Sequence, residues 1–246
     1  MKVSLLTIGT EITTGEIMNT NAQWLSTRLE DLGMDVQHHL TVPDQKELML
    51  DALEYLSKTS DLLVVTGGLG PTKDDLTREV MALWAGQELK FFEEIWTQLE
   101  KRLQERQVIC RPSHKRQCFF PQEATILKNS VGSAQGFEVS KGRVKAVVLP
   151  GPPRELKPMW SDVVEPRLPK GDLSPWVRWV FEGLHESDVA DRFENVLKDF
   201  LDPSQVEIGY RASPPLIHVK MREETVPQGL QEKLEIEFQG HLQKQS

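Results

Sequence analysis

Thr66-Gly67-Gly68-Leu69-Gly70-Pro71-Thr72-Lys73-Asp74-Asp75-Leu76-Thr77 is the stretch on which the fold turns. Directly before it stands Asp61-Leu62-Leu63-Val64-Val65, an apolar run with the length and β-branched content of a buried strand. Directly after it, Leu76, Val80 and Leu83 recur at helical spacing. The order predicted is strand, glycine-rich loop, helix. Such a loop offers backbone N–H groups, and a helix start adds unpaired donors and a positive dipole end, so together they attract phosphate. Two adjacent carboxylates are electrostatically awkward there unless a cation sits beside them. A divalent metal carried by a phosphorylated ligand resolves the conflict, because hard cations take oxygen ligands.

On the amino-terminal side, residues 2–8 read as a first strand and Leu25, Leu29 and Leu32 as one face of a helix ending at Gly33. Residues 34–42 form a second strand, and Met49, Ala52, Leu53 and Leu56 mark the next helix. This strand–helix rhythm predicts an α/β fold: a mainly parallel sheet with helices on both faces. Ligands of such sheets bind at the carboxyl ends of the strands. Residues 7–11 and 66–75 both fall at that edge and are assigned to one site.

On the other side, Ile95, Leu99 and Leu103 define a helix, followed by the basic stretch Arg111-Pro112-Ser113-His114-Lys115-Arg116-Gln117 and a Phe120-Pro121 turn. Residues 143–149 read as the last core strand, paired with 136–140 through a Lys141-Gly142 turn, and a helix after Pro153 closes the first domain at 169. Pro169-Lys170-Gly171-Asp172 reads as a linker. Residues 170–246 then form a small α+β domain. It comprises a strand at 177–181, a helix with Val189, Phe193, Val196 and Phe200 on one face, strands at 206–211 and 216–221, and a polar helix after Pro227.

Composition limits the function classes. The chain has 246 residues, 39% hydrophobic and 27% charged, and a formal net charge of −8, which argues against a general nucleic-acid binder. No stretch approaches the roughly 20 apolar residues needed to span a bilayer, and residues 1–8 are too short for a signal-peptide core. Cys110 and Cys118 lack metal-site or disulfide-framework spacing. His38, His39, His114, His185 and His218 show no zinc pattern, and no GxSxG motif occurs. A cytoplasmic location without membrane contact is the expectation.

The glycine-loop stretch closely resembles the central signature of the MoCF (MoaB/MogA-like, molybdopterin-binding) domain, and more narrowly the amino-terminal half of the CinA family. Three further segments agree with that half: Ile8-Gly9-Thr10-Glu11 through Gly15 to Asn19-Thr20-Asn21, Asn129-Ser130-Val131-Gly132-Ser133-Ala134, and Leu149-Pro150-Gly151-Pro152-Pro153-Arg154-Glu155. The chain departs from the family at Ala134-Gln135-Gly136-Phe137, where Gln135 replaces a proline. That change implies a more flexible loop with an added amide. The second domain resembles the KH-like domain of CinA proteins, but Gly183-Leu184-His185-Glu186 lacks the second glycine of an RNA-clamping loop. A structural or dimer-contact role is expected for it, with no nucleic-acid partner. The resemblance also implies at least a homodimer, and a nicotinamide mononucleotide deamidase activity that is absent here or supplied by a separate chain.

The resemblance implies that Asp74 and Asp75 serve metal and phosphate chemistry, with Asp74 in direct contact with metal or water. Capping of the following helix would account for one aspartate more easily than for two; Thr77 is a cap or a site residue. Glu11 is expected as a second acidic arm of the metal site, which would take Mg²⁺, Mn²⁺ or Co²⁺. Gly67, Gly68 and Gly70 are expected to let a ligand approach the backbone closely. Gly9, Thr10, Asn19, Asn21, Thr66, Pro71, Thr72, Arg116, Asn129, Gly132, Pro150, Gly151 and Glu155 complete the expected ligand edge. Within that set, Asn19 or its neighbours could equally cap the first helix, and Glu155 could be a first-turn acid. The activity implied is metal-dependent hydrolysis of a nucleotide diphosphate, ADP-ribose to AMP and ribose 5-phosphate, with Lys73 or Arg116 stabilising developing charge. A molybdopterin-binding or adenylyl-transferring protein and a non-catalytic nucleotide sensor are the alternatives.

Overall fold

The protein is described from a computed structural model covering residues 1–243. The chain divides into two compact units, Met1–Asp172 and a second from Leu173 onward.

Strands β1 (Lys2–Ile8), β2 (Asp35–Val42), β3 (Leu62–Thr66), β6 (Thr125–Leu127), β7 (Gly136–Lys141) and β8 (Val144–Leu149) make the sheet of the first unit, in the order β2-β1-β3-β8-β7-β6. The first four in that order run parallel; β7 and β6 are antiparallel additions. Alternation along the strands feeds two cores. Leu6, Ile8, Leu63 and Val65 pack with helices α3 (Lys46–Ser57), α4 (Thr77–Ala85) and α5 (Glu93–Glu105). Val3, Leu5, Leu62 and Val64 pack with α2 (Thr20–Asp31) and α6 (Pro153–Met159). Because both faces are covered, β3 reads as a nearly continuous apolar run rather than an alternating one, and in β1 even Ser4 and Thr7 are buried. A further helical turn, α1 (Thr10–Thr13), follows β1, and the short strands β4 (Leu89–Phe91) and β5 (Phe119–Pro121) pair antiparallel beside the main sheet.

Three local expectations need correction. The helix after the glycine loop begins at Thr77, so Asp74 and Asp75 precede it rather than sitting in its first turn. Its buried stripe is Val80, Met81 and Trp84, while Leu83 is 51% exposed. Trp84, one residue further on, lies about a quarter-turn nearer the core, and its indole donates to the Ser57 hydroxyl at 3.1 Å. Phe120-Pro121 is not a turn but the end of β5, with Phe120 fully buried against Phe92 and Phe137.

The second unit is a four-stranded antiparallel sheet of β9 (Trp176–Glu182), β10 (Ile208–Ser213), β11 (Leu216–Arg222) and β12 (Leu242–Gln243), ordered β10-β11-β9-β12. Ile217, Val219 and Met221 alternate inward along β11, the pattern of a sheet with one buried face. Helices α7 (Glu186–Leu197) and α8 (Leu230–Glu237) supply Val189, Phe193, Leu230 and Leu234 to the same core. No described helix is long and apolar enough to cross a membrane.

Candidate functional site

The carboxyl ends of β1, β3 and β8 converge, and the loops that leave them surround a cleft of about 680 Å³. The Gly9 amide donates to the Val42 carbonyl and the Gly67 amide to the Leu149 carbonyl, so each loop is anchored to the strand beside its own. Gly9, Glu11, Asn19 and Asn21 come from the first loop; Thr66 to Pro71, Asp74 and Asp75 from the second; Pro150, Gly151 and Glu155 from the third. The two loops therefore border one cleft, although Thr10, Thr72 and Lys73 are not part of its lining.

The glycine loop is shaped from within. Gly67 and Gly68 have φ of 102° and 62°, the left-handed region that glycine tolerates. A Cβ on Gly67 would overlap the Ile8 carbonyl oxygen, and one on Gly68 the Thr77 hydroxyl. At Gly70, a Cβ would lie 2.5 Å from the Asp75 carboxylate. Each of the three thus has a reason inside the protein. Thr77 is not a cap: its hydroxyl donates to the Gly67 carbonyl at 2.9 Å, and its amide to the Gly68 carbonyl at 3.3 Å.

The adjacent aspartates differ in their surroundings. Asp75 accepts from the Gly70 amide at 2.7 Å, the Thr72 amide at 2.8 Å and the Thr72 hydroxyl. Those amides are accordingly engaged, while among the described residues the Gly68 and Leu69 N–H groups meet no protein acceptor. Asp74 is exposed. Hydrogen bonds from the Thr72 side chain and its own amide hold its carboxyl below the usual range, with Arg116 adding to the effect. The single Thr72 hydroxyl proton serves one of the two aspartates at a time, and the geometry gives it to Asp75.

Beneath the loop lies Arg78, 3% exposed, donating to the Leu69 carbonyl at 2.8 Å and stacked 5.3 Å from the Phe120 ring centre. Burial pulls its guanidinium down to about 10, against the opposing influence of Asp75. It stays charged at neutral pH. Gln117 reaches the same Leu69 carbonyl at 3.3 Å.

Across the cleft, the 129–135 loop is organised by a fully buried Asn129. Its Oδ1 accepts from the Val131 and Gly132 amides, and its Nδ2 donates to the Ala134 carbonyl and to the Glu155 carboxylate at 2.8 Å. Asn129 therefore positions Glu155 rather than lining the cleft. Gly132 is required because a Cβ there would overlap that carboxylate. Gln135 corrects the expectation of a loosened loop: its buried Oε1 accepts from the Asn129 amide at 2.6 Å, replacing a ring constraint with a hydrogen bond. From outside, Arg102 donates to the carbonyls of Asn129, Ser130 and Gly132, and Arg106 to that of Val131.

Other expected residues are placed as follows. Asn19 is the cap of α2, accepting from the Ala22 amide at 3.1 Å while donating to the Thr7 hydroxyl. Asn21 donates to the Gly151 carbonyl at 2.7 Å. Thr10 turns to Asp44, whose carboxylate takes both its amide and its hydroxyl. Lys73, Arg116 and Thr72 line a separate cavity rather than the cleft. Cys118 is buried, which pushes its thiol up to about 11 and leaves it unreactive. Nothing in the spacing of Arg78, Arg102 or Asp44 marks them in advance.

Two properties define what the cleft can hold. Its lining includes five carboxylates, those of Glu11, Asp44, Asp74, Asp75 and Glu155, and no basic side chain. In addition, Asn21 Oδ1, Thr66 Oγ1 and Gln117 Oε1 are buried, belong to residues of its lining, and make no hydrogen bond within the protein. Such atoms are uncommon in folded proteins and call for a polar partner.

Fold and cleft together define an α/β protein with a polar, acidic cleft at the carboxyl ends of its parallel strands. Residues 4–170 match the family model described as a probable molybdopterin binding domain. The chain is 41% identical over 206 residues to a competence-damage inducible protein of Clostridium botulinum (83% of this chain, 50% of that one) and 39% identical over 206 residues to one of Streptococcus equi (83% and 49%). It spans about half the length of these curated relatives. The crystal structure of CinA from Thermoplasma acidophilum, described as of unknown function, superposes with a TM-score of 0.61 at 32% identity, covering 65% of this chain and 94% of that one. The chain belongs to the molybdopterin-binding-domain family, and within it to the CinA type.

Proposed function

We propose that the cleft takes a nucleotide diphosphate together with a divalent cation and hydrolyses it, ADP-ribose to AMP and ribose 5-phosphate. The observation that carries this reading is the absence of any basic side chain among the described residues of a cleft lined by five carboxylates. A phosphorylated ligand would be repelled unless a cation came with it. Among the described residues no three acidic, histidine or cysteine side chains converge as a ready-made metal cage. A hard cation bound through phosphate oxygens needs only one or two carboxylates from the protein. Asp74 and Glu11, both exposed at the cleft, are suited to that, whereas Asp75 is committed to the loop. The cation would be Mg²⁺, Mn²⁺ or Co²⁺, and bound there it would offset phosphate charge and polarise the phosphoryl group.

The Gly68 and Leu69 amides would receive a phosphate oxygen. Asn21, Thr66 and Gln117 would fix the remaining polar groups of the ligand. Asp74 stays ionised because its carboxyl is held low, which suits a cation ligand better than a proton carrier, whose affinity should lie near the working pH. In the reaction a water oxygen bonds to one phosphorus and the bridging P–O bond breaks. Its electron pair leaves with the departing phosphate, and the water's proton goes to solvent.

A second reading is favoured by the family itself, described as a probable molybdopterin binding domain: the same amides and carboxylates would hold a pterin phosphate. The test is ADP-ribose turnover by purified protein with each metal, against chelator and Asp74→Asn. AMP formed only with metal and intact Asp74 supports hydrolysis. ADP-ribose that binds yet stays whole with every metal rules it out. A failure to bind, with a pterin phosphate taken up instead, moves the assignment to the second reading.

A further inference from the structure

Next to the acidic cleft, and sharing Pro71 with it, the surface opens into a second cavity of about 760 Å³. The chemistry of the two is opposite. The second cavity is lined by Lys73, Arg111, His114 and Arg116, with the aliphatic side chains of Val108 and Ile109 on one wall and no carboxylate in its lining. Arg116 is partly neutralised by Glu79 at 3.3 Å, and Asp74 lies near it on the loop. Lys73 and Arg111 are exposed. The His114 ring accepts from the Arg111 amide through Nδ1 at 2.9 Å, which leaves an Nε2–H donor on the neutral imidazole. Thr72 and Ser113 add hydroxyls. Ile109 is 75% exposed, an unusual position for a bare aliphatic side chain among cations.

We infer that this cavity is a second, metal-independent anion site that takes the phosphomonoester group of a small organic phosphate. Arg111, Lys73 and the His114 Nε2–H meet the phosphate, and Val108 with Ile109 meet its organic body. A phosphomonoester carries up to two charges and three acceptor oxygens, which several convergent donors match. An aliphatic wall adds affinity for a sugar or base but none for inorganic phosphate. The site is independent of hydrolysis in the cleft. Its link to the cleft rests on the proposed function: breaking a diphosphate creates two phosphomonoesters beside five carboxylates, and the basic cavity across Pro71 is where one of them would move.

The experiment is calorimetric titration of the full chain, in excess chelator and at low ionic strength, with inorganic phosphate, ribose 5-phosphate and AMP. Chelator silences the metal-dependent cleft, so the outcome is separate from that of the turnover assay. Binding of at least one organic phosphate is expected, several-fold tighter than inorganic phosphate. It should weaken about tenfold in Arg111→Ala and also fall with rising salt. Ile109→Ser should reduce the preference for the organic phosphates while leaving inorganic phosphate unchanged. No metal-free binding by the wild-type chain, or binding unaltered in a folded Arg111→Ala, would overturn the assignment. Equal affinity for all three anions would overturn the role of the aliphatic wall.

Discussion

Asp74 and Asp75 are neighbours with different tasks, and substitution separates them. Asp75→Ala removes the acceptor of three hydrogen bonds and leaves the Gly70 and Thr72 amides without a partner. It should lower unfolding stability by about 1–3 kcal/mol, seen as a reduced denaturant midpoint. Asp74→Asn should leave the midpoint nearly unchanged and abolish metal-dependent turnover. Equal loss of stability in both would contradict the division. The Asp74 carboxyl titrates below its ordinary value. Its contribution to stability is therefore present above about pH 4 and is lost only as the pH falls through the lower native value. Arg116→Ala should move the Asp74 titration upward, measured by carboxyl-carbon NMR; no movement would show that Arg116 does not act on Asp74 in solution. The identities of these residues are legible in the sequence, but their roles are not. Which of two adjacent aspartates turns back onto the loop depends on backbone geometry that no spacing rule encodes.

Among the elements, the 129–135 loop is the most interlocked. Gln135→Ala should cost about 1–2 kcal/mol, because the buried Asn129 amide loses its acceptor. The protein should nevertheless fold, with faster hydrogen exchange confined to this loop. Gly132→Ala forces the Glu155 carboxylate aside and should destabilise by about 1–3 kcal/mol. Adding Glu155→Ala should recover most of that loss, and additive losses in the double variant would refute the proposed overlap. Long elements with clear periodicity are legible from the chain: β1, α2, α3 and α5 fall where their apolar spacing predicts. Short pieces are not. β4 and β12 have three and two residues, too few for any period to emerge. The stripe of α4 is misphased in the sequence reading because Leu83 looks like a core residue, whereas Trp84 takes the inward position.

For the whole molecule, the formal charge of −8 hides an uneven distribution. The cleft lined by five carboxylates and the cavity lined by a cluster of cations meet at Pro71 of the glycine loop. Affinity of the cleft for ADP-ribose should therefore depend steeply on divalent metal, rising at least tenfold from chelator to millimolar Mg²⁺ when Arg111→Ala silences the second cavity. Metal-independent affinity in that variant would contradict an acidic cleft that needs a cation. The parallel architecture is legible because buried strands and amphipathic helices alternate through the first 66 residues. The juxtaposition of opposite charges across Pro71 is not, since Lys73 and Arg111 are brought together by tertiary folding across 37 intervening positions in the chain.

The glycine loop, finally, is gripped by its own neighbours: Asp75 from one end, Thr77 from the other, Arg78 and Gln117 from below. A ligand arriving at such a loop finds its donors already aimed, so association has no ordering step to wait for. Encounter should proceed at a rate set by diffusion and charge, with a small heat-capacity change on binding and amide exchange slowed only at Gly68 and Leu69, the rest of the loop exchanging as before. Selectivity then resides in how long a bound molecule stays, since a rigid receptor admits right and wrong visitors at similar speed and parts from the wrong ones sooner.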